Sequence, residues 1–198
     1  MELVLATKNR KKIEEIKRIT SDLDMKILTP EDFESFPEVI EDGRTFKENA
    51  AKKSLAIAKY TNMPSLSDDS GLEVYALGGA PGVFSARFAG ENASDAENVR
   101  KLLEMMKDID NGDRKARFVC WIALTTRDFK TYFFEGTVEG SIIREPRGVN
   151  GFGYDPVFVP EGKYKTFAEM SDQEKDALSH RGRALFKLRE FLKIRNIR

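Results

Sequence analysis

The sequence predicts an α/β protein with a mixed β-sheet. Three observations carry that prediction: a short apolar strand followed at once by an amphipathic helix, two long strand-like stretches in tandem at 115–126 and 131–144, and a helical pattern towards the C-terminus. Residues 2–6 read as a buried strand. Residues 9–19 read as a helix that turns Ile13, Ile16 and Ile19 inward, and 25–28 as a second strand. The stretch 30–43 is acidic and punctuated by proline, hence a loop. Thr45 then opens a helix to about residue 60, with Thr45 and Glu48 in capping-box spacing. Strands at 65–67 and 72–75 flank a turn that carries Asp68 and Asp69, and a glycine-rich turn follows at 78–82. A second capping box, Ser94 with Glu97, starts a helix over 94–106. The two long runs pair as a hairpin about 127–130. The last helical region starts near Ser171, whose capping partner is Glu174, and runs to about 194. An unbroken helix there would set Arg181 beside the stripe of Leu178, Leu185, Leu188 and Leu192, so a restart near Ser179 is the alternative. No linker or repeat interrupts the chain, which reads as one domain over 1–198.

Composition excludes several functions. The 33 basic and 33 acidic side chains cancel, which argues against a nucleic-acid polymer as partner, since such binders carry a net basic surface. A single cysteine, Cys120, permits no internal disulfide and reads as a small core residue. With one histidine besides, a Cys/His zinc site lacks ligands. No apolar run approaches the ~18 residues of a membrane span, and Glu2 and the basic cluster at 8–12 break any leader-like apolar start. The expected compartment is the cytoplasm.

Several segments could carry chemistry. Thr7, Lys8, Asn9, Arg10, Lys11 and Lys12 lie where the first strand meets the first helix, and a helix N-terminus suits phosphate. Asn9 can cap the helix, with Lys12 one turn on; the ordinary alternative is a solvated basic face. In the next helix Phe46, Ala50, Lys53 and Ile57 share one face, so Lys53 either snorkels or points its charge into a cleft. Asp68 and Asp69, with Glu41 and Asp42 from the acidic loop, offer hard oxygen donors for Mg²⁺ or serve a turn and a solvated loop. Phe152, Gly153, Tyr154 and Asp155 form an aromatic–glycine run that could stack on a flat ring or simply end a strand. Ser179, His180 and Arg181 are no hydrolase triad, because sequence neighbours do not easily meet as nucleophile and base.

Taken together, the segments LATKNRKKIEEI, TFKENAAKKSLAIA, SDDSGLEVYALGGAPGVFSARF, GFGYDPVF and AEMSDQEKDALSHRGRAL resemble the inosine triphosphate pyrophosphatase family, the XTP/dITP diphosphatases. The resemblance spans nearly the whole chain, with five motifs in order. Lys8 stands where many members have glycine and Tyr154 where some have tryptophan. The resemblance implies an elongated mixed sheet flanked by helices, two lobes with a central cleft, and a homodimer. It also implies Mg²⁺-dependent hydrolysis of ITP, dITP or XTP to the monophosphate and pyrophosphate, which cleanses the nucleotide pool.

On that resemblance Asn9, Lys12 and Lys53 hold the triphosphate, and Glu41 and Asp69 hold Mg²⁺, with Asp68 either a further ligand or a support for the turn. Asp69 also activates the attacking water. Ser70 binds phosphate or ribose. Phe152 stacks on the base and Tyr154 shapes that wall. Asp155, Lys175, His180 and Arg181 read the base edge, a donor such as Arg181 meeting the 6-keto oxygen. The rival readings are a purine-nucleotide binding or sensing protein without hydrolysis, and a related hydrolase of modified pyrimidine nucleotides.

Overall fold

The computed structural model describes residues 2–195. Its strands and helices are β1 (Glu2–Leu5), α1 (Arg10–Ile19), β2 (Lys26–Leu28), α2 (Phe46–Thr61), β3 (Ser65–Val74), α3 (Asp95–Met105), β4 (Lys115–Thr125), β5 (Thr131–Ile142), β6 (Phe158–Pro160), α4 (Asp172–Leu178) and α5 (His180–Arg195). The strands form one six-stranded sheet in the order β2-β1-β3-β4-β5-β6. It is mixed, as expected: β1 runs parallel to β2 and β3, whereas β5 and β6 are antiparallel. No described helix is long and apolar enough to cross a membrane.

The chain divides into two compact units. The first holds residues up to Asp69, Cys120–Gly136 and residues from Arg181 on; the second holds Ser70–Val119 and Thr137–His180. In the first, the alternation of β1 sends Leu3 and Leu5 to a core with Ile16, Leu66, Cys120, Leu185 and Leu188. Val4 and Ala6 go to a smaller cluster with Ile57 of α2. Helix α2 is fixed by hydroxyls besides: Ser67 Oγ donates to the Ala50 carbonyl at 2.5 Å, and Ser54 Oγ lies 2.8 Å from Thr125 Oγ1. The second unit has its own core around Leu72, Val99, Leu102, Phe118, Phe158 and Phe167. There the buried Arg114 guanidinium donates to the carbonyls of Met106 at 2.6 Å and Ile142 at 2.8 Å.

Two local expectations need correction. The expected turn at Asp68 and Asp69 is absent: β3 runs unbroken from Ser65 to Val74. An Asx-turn needs a carboxylate bonded to nearby backbone, and Asp68 instead takes distant cationic side chains. The sequence reading also missed β6, a three-residue strand ending in proline, which pairs with β5 through Gly140 opposite Pro160. Gly140 is required there, because a Cβ would lie 2.3 Å from the Val159 carbonyl oxygen. The last helical region does restart: Ser179 is extended, at φ −68° and ψ 159°, between α4 and α5.

Candidate active site

The first unit gathers a cluster of buried charge on the two faces of β3. Successive side chains of a strand point to opposite sides, so Asp68 and Asp69 face different partners. Asp68 is met by Lys12 from the first turns of α1, with Nζ 2.8 Å from Oδ1. Its other oxygen accepts from Arg181 Nε at 2.9 Å and Nη2 at 2.8 Å. The same guanidinium pairs with Glu15 of α1. Lys12, Asp68, Arg181 and Glu15 thus form a neutral chain of two cations and two anions, with Arg181 only 1% exposed. Burial alone would raise the Asp68 carboxyl, but Arg181 and Lys12 outweigh it and hold the group well below the usual carboxylate range. Lys12 reaches this position because Asn9 caps α1: its Oδ1 accepts the Lys12 N–H at 3.2 Å.

On the other face, Lys53 of α2 lies between two carboxylates, 3.1 Å from Glu41 and 3.2 Å from Asp69. The acidic loop is brought there by Asn49, one turn earlier on α2, whose Oδ1 accepts the Gly43 N–H at 2.8 Å. Gly43 is needed for that approach, since a Cβ would sit 2.6 Å from the Asn49 oxygen. Burial would lower the Lys53 ammonium, but Asp69 and Glu41 raise it above its ordinary value, so it stays charged. Burial pushes the Asp69 carboxyl up; Lys53 and Lys12 pull it down, Glu41 pushes it up again, and it rests raised at about 6. Glu41 resists its own burial through Lys53 and is lowered. Two carboxylates sharing one ammonium carry an excess negative charge, and Asp69 is the one that takes up a proton first as the pH falls. Such a pair of oxygen donors fits Mg²⁺, which is held by one or two carboxylates and completes its shell with water and substrate phosphate. Among the described residues no cluster of three or more Asp, Glu, His or Cys side chains could hold a metal alone.

The second unit supplies an aromatic cluster. Asp155 folds back so that its Oδ2 accepts the Phe152 N–H at 2.9 Å. Lys175 of α4 donates to the same oxygen at 2.7 Å, and both side chains are buried. The Lys175 ammonium lies 4.9 Å from the Phe152 ring centroid, a cation–π distance. Tyr154 donates its hydroxyl to the Ser85 carbonyl at 2.8 Å, and Asp95 Oδ2 accepts the Gly153 N–H at 2.8 Å. His180 is buried and stacks on Phe118, with centroids 4.6 Å apart and planes 8° from parallel.

A model of the Ham1 family matches residues 3–191. The chain belongs to the Ham1 family. It is 50% identical over 190 residues to a protein from Geobacter sulfurreducens named dITP/XTP pyrophosphatase, covering 96% of both chains. A Coxiella burnetii relative of the same name is 48% identical, with 95% of this chain and 94% of that one covered. Among solved structures, a HAM1 protein from Coxiella burnetii superposes with a TM-score of 0.89 at 46% identity, over 98% of each chain. The Staphylococcus aureus Ham1 protein gives 0.88 at 44%, again over 98% of each.

In this Ham1-family chain the structure brings Asn9, Lys12, Glu41, Lys53, Asp68 and Asp69 into the first unit's cluster. Thr7 is half-buried and its Oγ1 accepts the Asn9 N–H at 3.2 Å, whereas Lys8, Arg10 and Lys11 are exposed and Arg10 pairs with the exposed Glu31. Ser70 follows, half-buried, as the first residue of the second unit. Phe152, Gly153, Tyr154, Asp155, Lys175 and His180 all belong to that unit. Arg181 belongs to the first, where its guanidinium meets Asp68 and Glu15. Asp68 likewise is met by two cations, Lys12 and Arg181. Sequence reasoning missed Glu15, Gly43 and Asp95. Glu15 left a trace, an acid beside Ile16 on the inward side of α1; Asp95 left none beyond its place after a capping serine.

Proposed function

We propose that the chain hydrolyses non-canonical purine nucleoside triphosphates such as ITP, dITP and XTP to the monophosphate and pyrophosphate. The observation that carries this reading is Lys53 set between Glu41 and Asp69. A carboxylate held in a charged, largely buried cluster of this kind can accept a proton from water. Support also comes from relatives of about half identity that carry the name dITP/XTP pyrophosphatase.

In this reading Lys12 and Lys53 neutralise triphosphate oxygens, and their charge counts for more as charge builds on the phosphoryl group in the transition state. Glu41 and Asp69 hold Mg²⁺, which when bound adds Lewis-acid polarisation of the phosphoryl oxygens. Asp69 accepts a proton from the attacking water. The α–β phosphoanhydride bond breaks, pyrophosphate leaves, and the water oxygen remains on one of the two products. Ser70 contacts phosphate or ribose. Phe152 stacks on the base, and Tyr154 braces its loop. Lys175, held in a buried ion pair with Asp155, meets a 6-keto oxygen at the base edge. Adenine presents an amino group there and leaves that buried donor unpaired, a penalty of about 1–3 kcal/mol or more.

The test is pyrophosphate release from ITP, dITP, XTP, GTP, ATP and modified pyrimidine triphosphates with Mg²⁺. Release is expected chiefly from the first three, and Asp69→Asn should lower it by about 10²–10⁴-fold with the fold intact. Nucleotide binding without pyrophosphate release would favour a sensing protein, and an active Asp69→Asn would remove the base assignment.

A further inference from the structure

Phe152 lies in a loop that its own sequence does little to hold. Gly151 and Gly153 flank it, both with positive φ, +74° and +61°, and the ring is only half-buried. Within the second unit the loop is nevertheless fixed. Asp155 takes the Phe152 N–H and is itself held by Lys175, and Tyr154 reaches the Ser85 carbonyl. The next amide, that of Gly153, is taken by Asp95, an exposed residue at the first position of α3.

An acid at that position has an ordinary alternative use, which is to favour the helix dipole. Here the helix does not need it. Ser94 already caps α3 by accepting the Glu97 N–H at 3.3 Å, and Glu97 returns the bond by accepting the Ser94 N–H at 2.8 Å. The capping box supplies both the cap and a first-turn carboxylate. Asp95 instead directs its carboxylate across 58 residues of sequence to the backbone amide beside the Phe152 ring.

We propose that Asp95 is a positioning residue for nucleotide recognition: by holding the Gly153 N–H it sets the plane of the Phe152 ring that stacks on the purine. A peptide plane whose amide is anchored on one side of Phe152, with Asp155 anchoring the amide on the other, leaves that ring few orientations. The inference rests on the reading that Phe152 stacks on the base, and the experiment separates the two.

The variants Asp95→Ala, Asp95→Asn, Phe152→Ala and the double Asp95→Ala/Phe152→Ala are compared in kcat and KM for ITP, and in ligand-free thermal unfolding. Asp95→Ala should raise KM about tenfold, the worth of one hydrogen bond to a carboxylate, with kcat within about twofold. Asp95→Asn keeps an acceptor oxygen and should return KM to within about threefold of the parent. In the double variant the Asp95 substitution should add nothing to the effect of Phe152→Ala, because the two act through one ring. If Phe152→Ala raises KM and Asp95→Ala does not, the tether is overturned and stacking stands. If neither raises KM, stacking falls and the tether with it. Additive effects, or a KM that follows a loss of thermal stability shared by the Ala and Asn variants, would reduce Asp95 to helix support and overturn the proposal.

Discussion

The two units solve the problem of buried polarity in different ways. In the first, charge is met by charge: two lysines and an arginine lie against Asp68, Asp69, Glu15 and Glu41. In the second, the buried arginine, Arg114, is met by main-chain carbonyls and the aromatic loop by single hydrogen bonds, with Lys175–Asp155 as the buried ion pair. Dense buried ion networks are poor stabilisers, because desolvation offsets much of the attraction. Their presence in one unit points to use rather than stability: a triphosphate is a large, concentrated charge, and a base is a flat, weakly polar ring. In the proposed function the first unit serves the one and the second the other.

The largest way to break that contrast is to unbalance the charged chain. Asp68→Asn leaves the part-buried Lys12 and the buried Arg181 with Glu15 alone, and should cost about 3–5 kcal/mol of stability in denaturant unfolding. A loss below about 0.5 kcal/mol, typical of surface changes, would mean that the two cations do not depend on Asp68 for their burial.

A second test sharpens the contrast between the adjacent aspartates. In the metal-free protein, carboxyl ¹³C titration should place the Asp69 midpoint near 6, above the ordinary 3.8, while Asp68 stays ionised well below 3.8. Their effects on stability have opposite signs. Asp69 binds a proton more tightly folded than unfolded, so its contribution is lost as pH rises from about 3.8 through about 6. Asp68 binds one less tightly, so its contribution is present above 3.8 and is lost as pH falls below it. Two coincident midpoints would contradict the separation of the two faces.

The smallest effect belongs to a half-exposed pair in the second unit, Arg117 and Glu73 at 2.7 Å. Glu73→Gln should change stability by no more than about 0.2–1 kcal/mol, and a larger loss would show that ion pairing matters there as much as in the first unit.

How much of this was legible in the sequence depended on range. Helix starts were readable because a capping box lies within four residues: Thr45 with Glu48, Ser94 with Glu97 and Ser171 with Glu174 all form. Lys53 was readable as a charge on an apolar stripe, left between snorkelling and a cleft, and the structure buries it. The continuous strand through Asp68 and Asp69 was not, because what makes two buried carboxylates tolerable is distant. Arg181 is 113 residues from Asp68 and 166 from Glu15. The same range hid the occupation of Arg181, whose donors looked open for a base. It also hid the bond from Asp95 to Gly153. The glycines of 151–153 suggested a turn without showing what secures it.

In the proposed function the two units divide the labour, with phosphate chemistry falling to the first and base selection to the second. The ITP-to-ATP ratio of kcat/KM in Lys53→Met and Lys175→Met, beside the parent, tests this division. Lys53→Met should lower both values and leave the ratio unchanged, while Lys175→Met should collapse the ratio by about tenfold or more, the worth of one buried hydrogen bond to the base edge. A ratio that collapses in Lys53→Met and survives in Lys175→Met would contradict it.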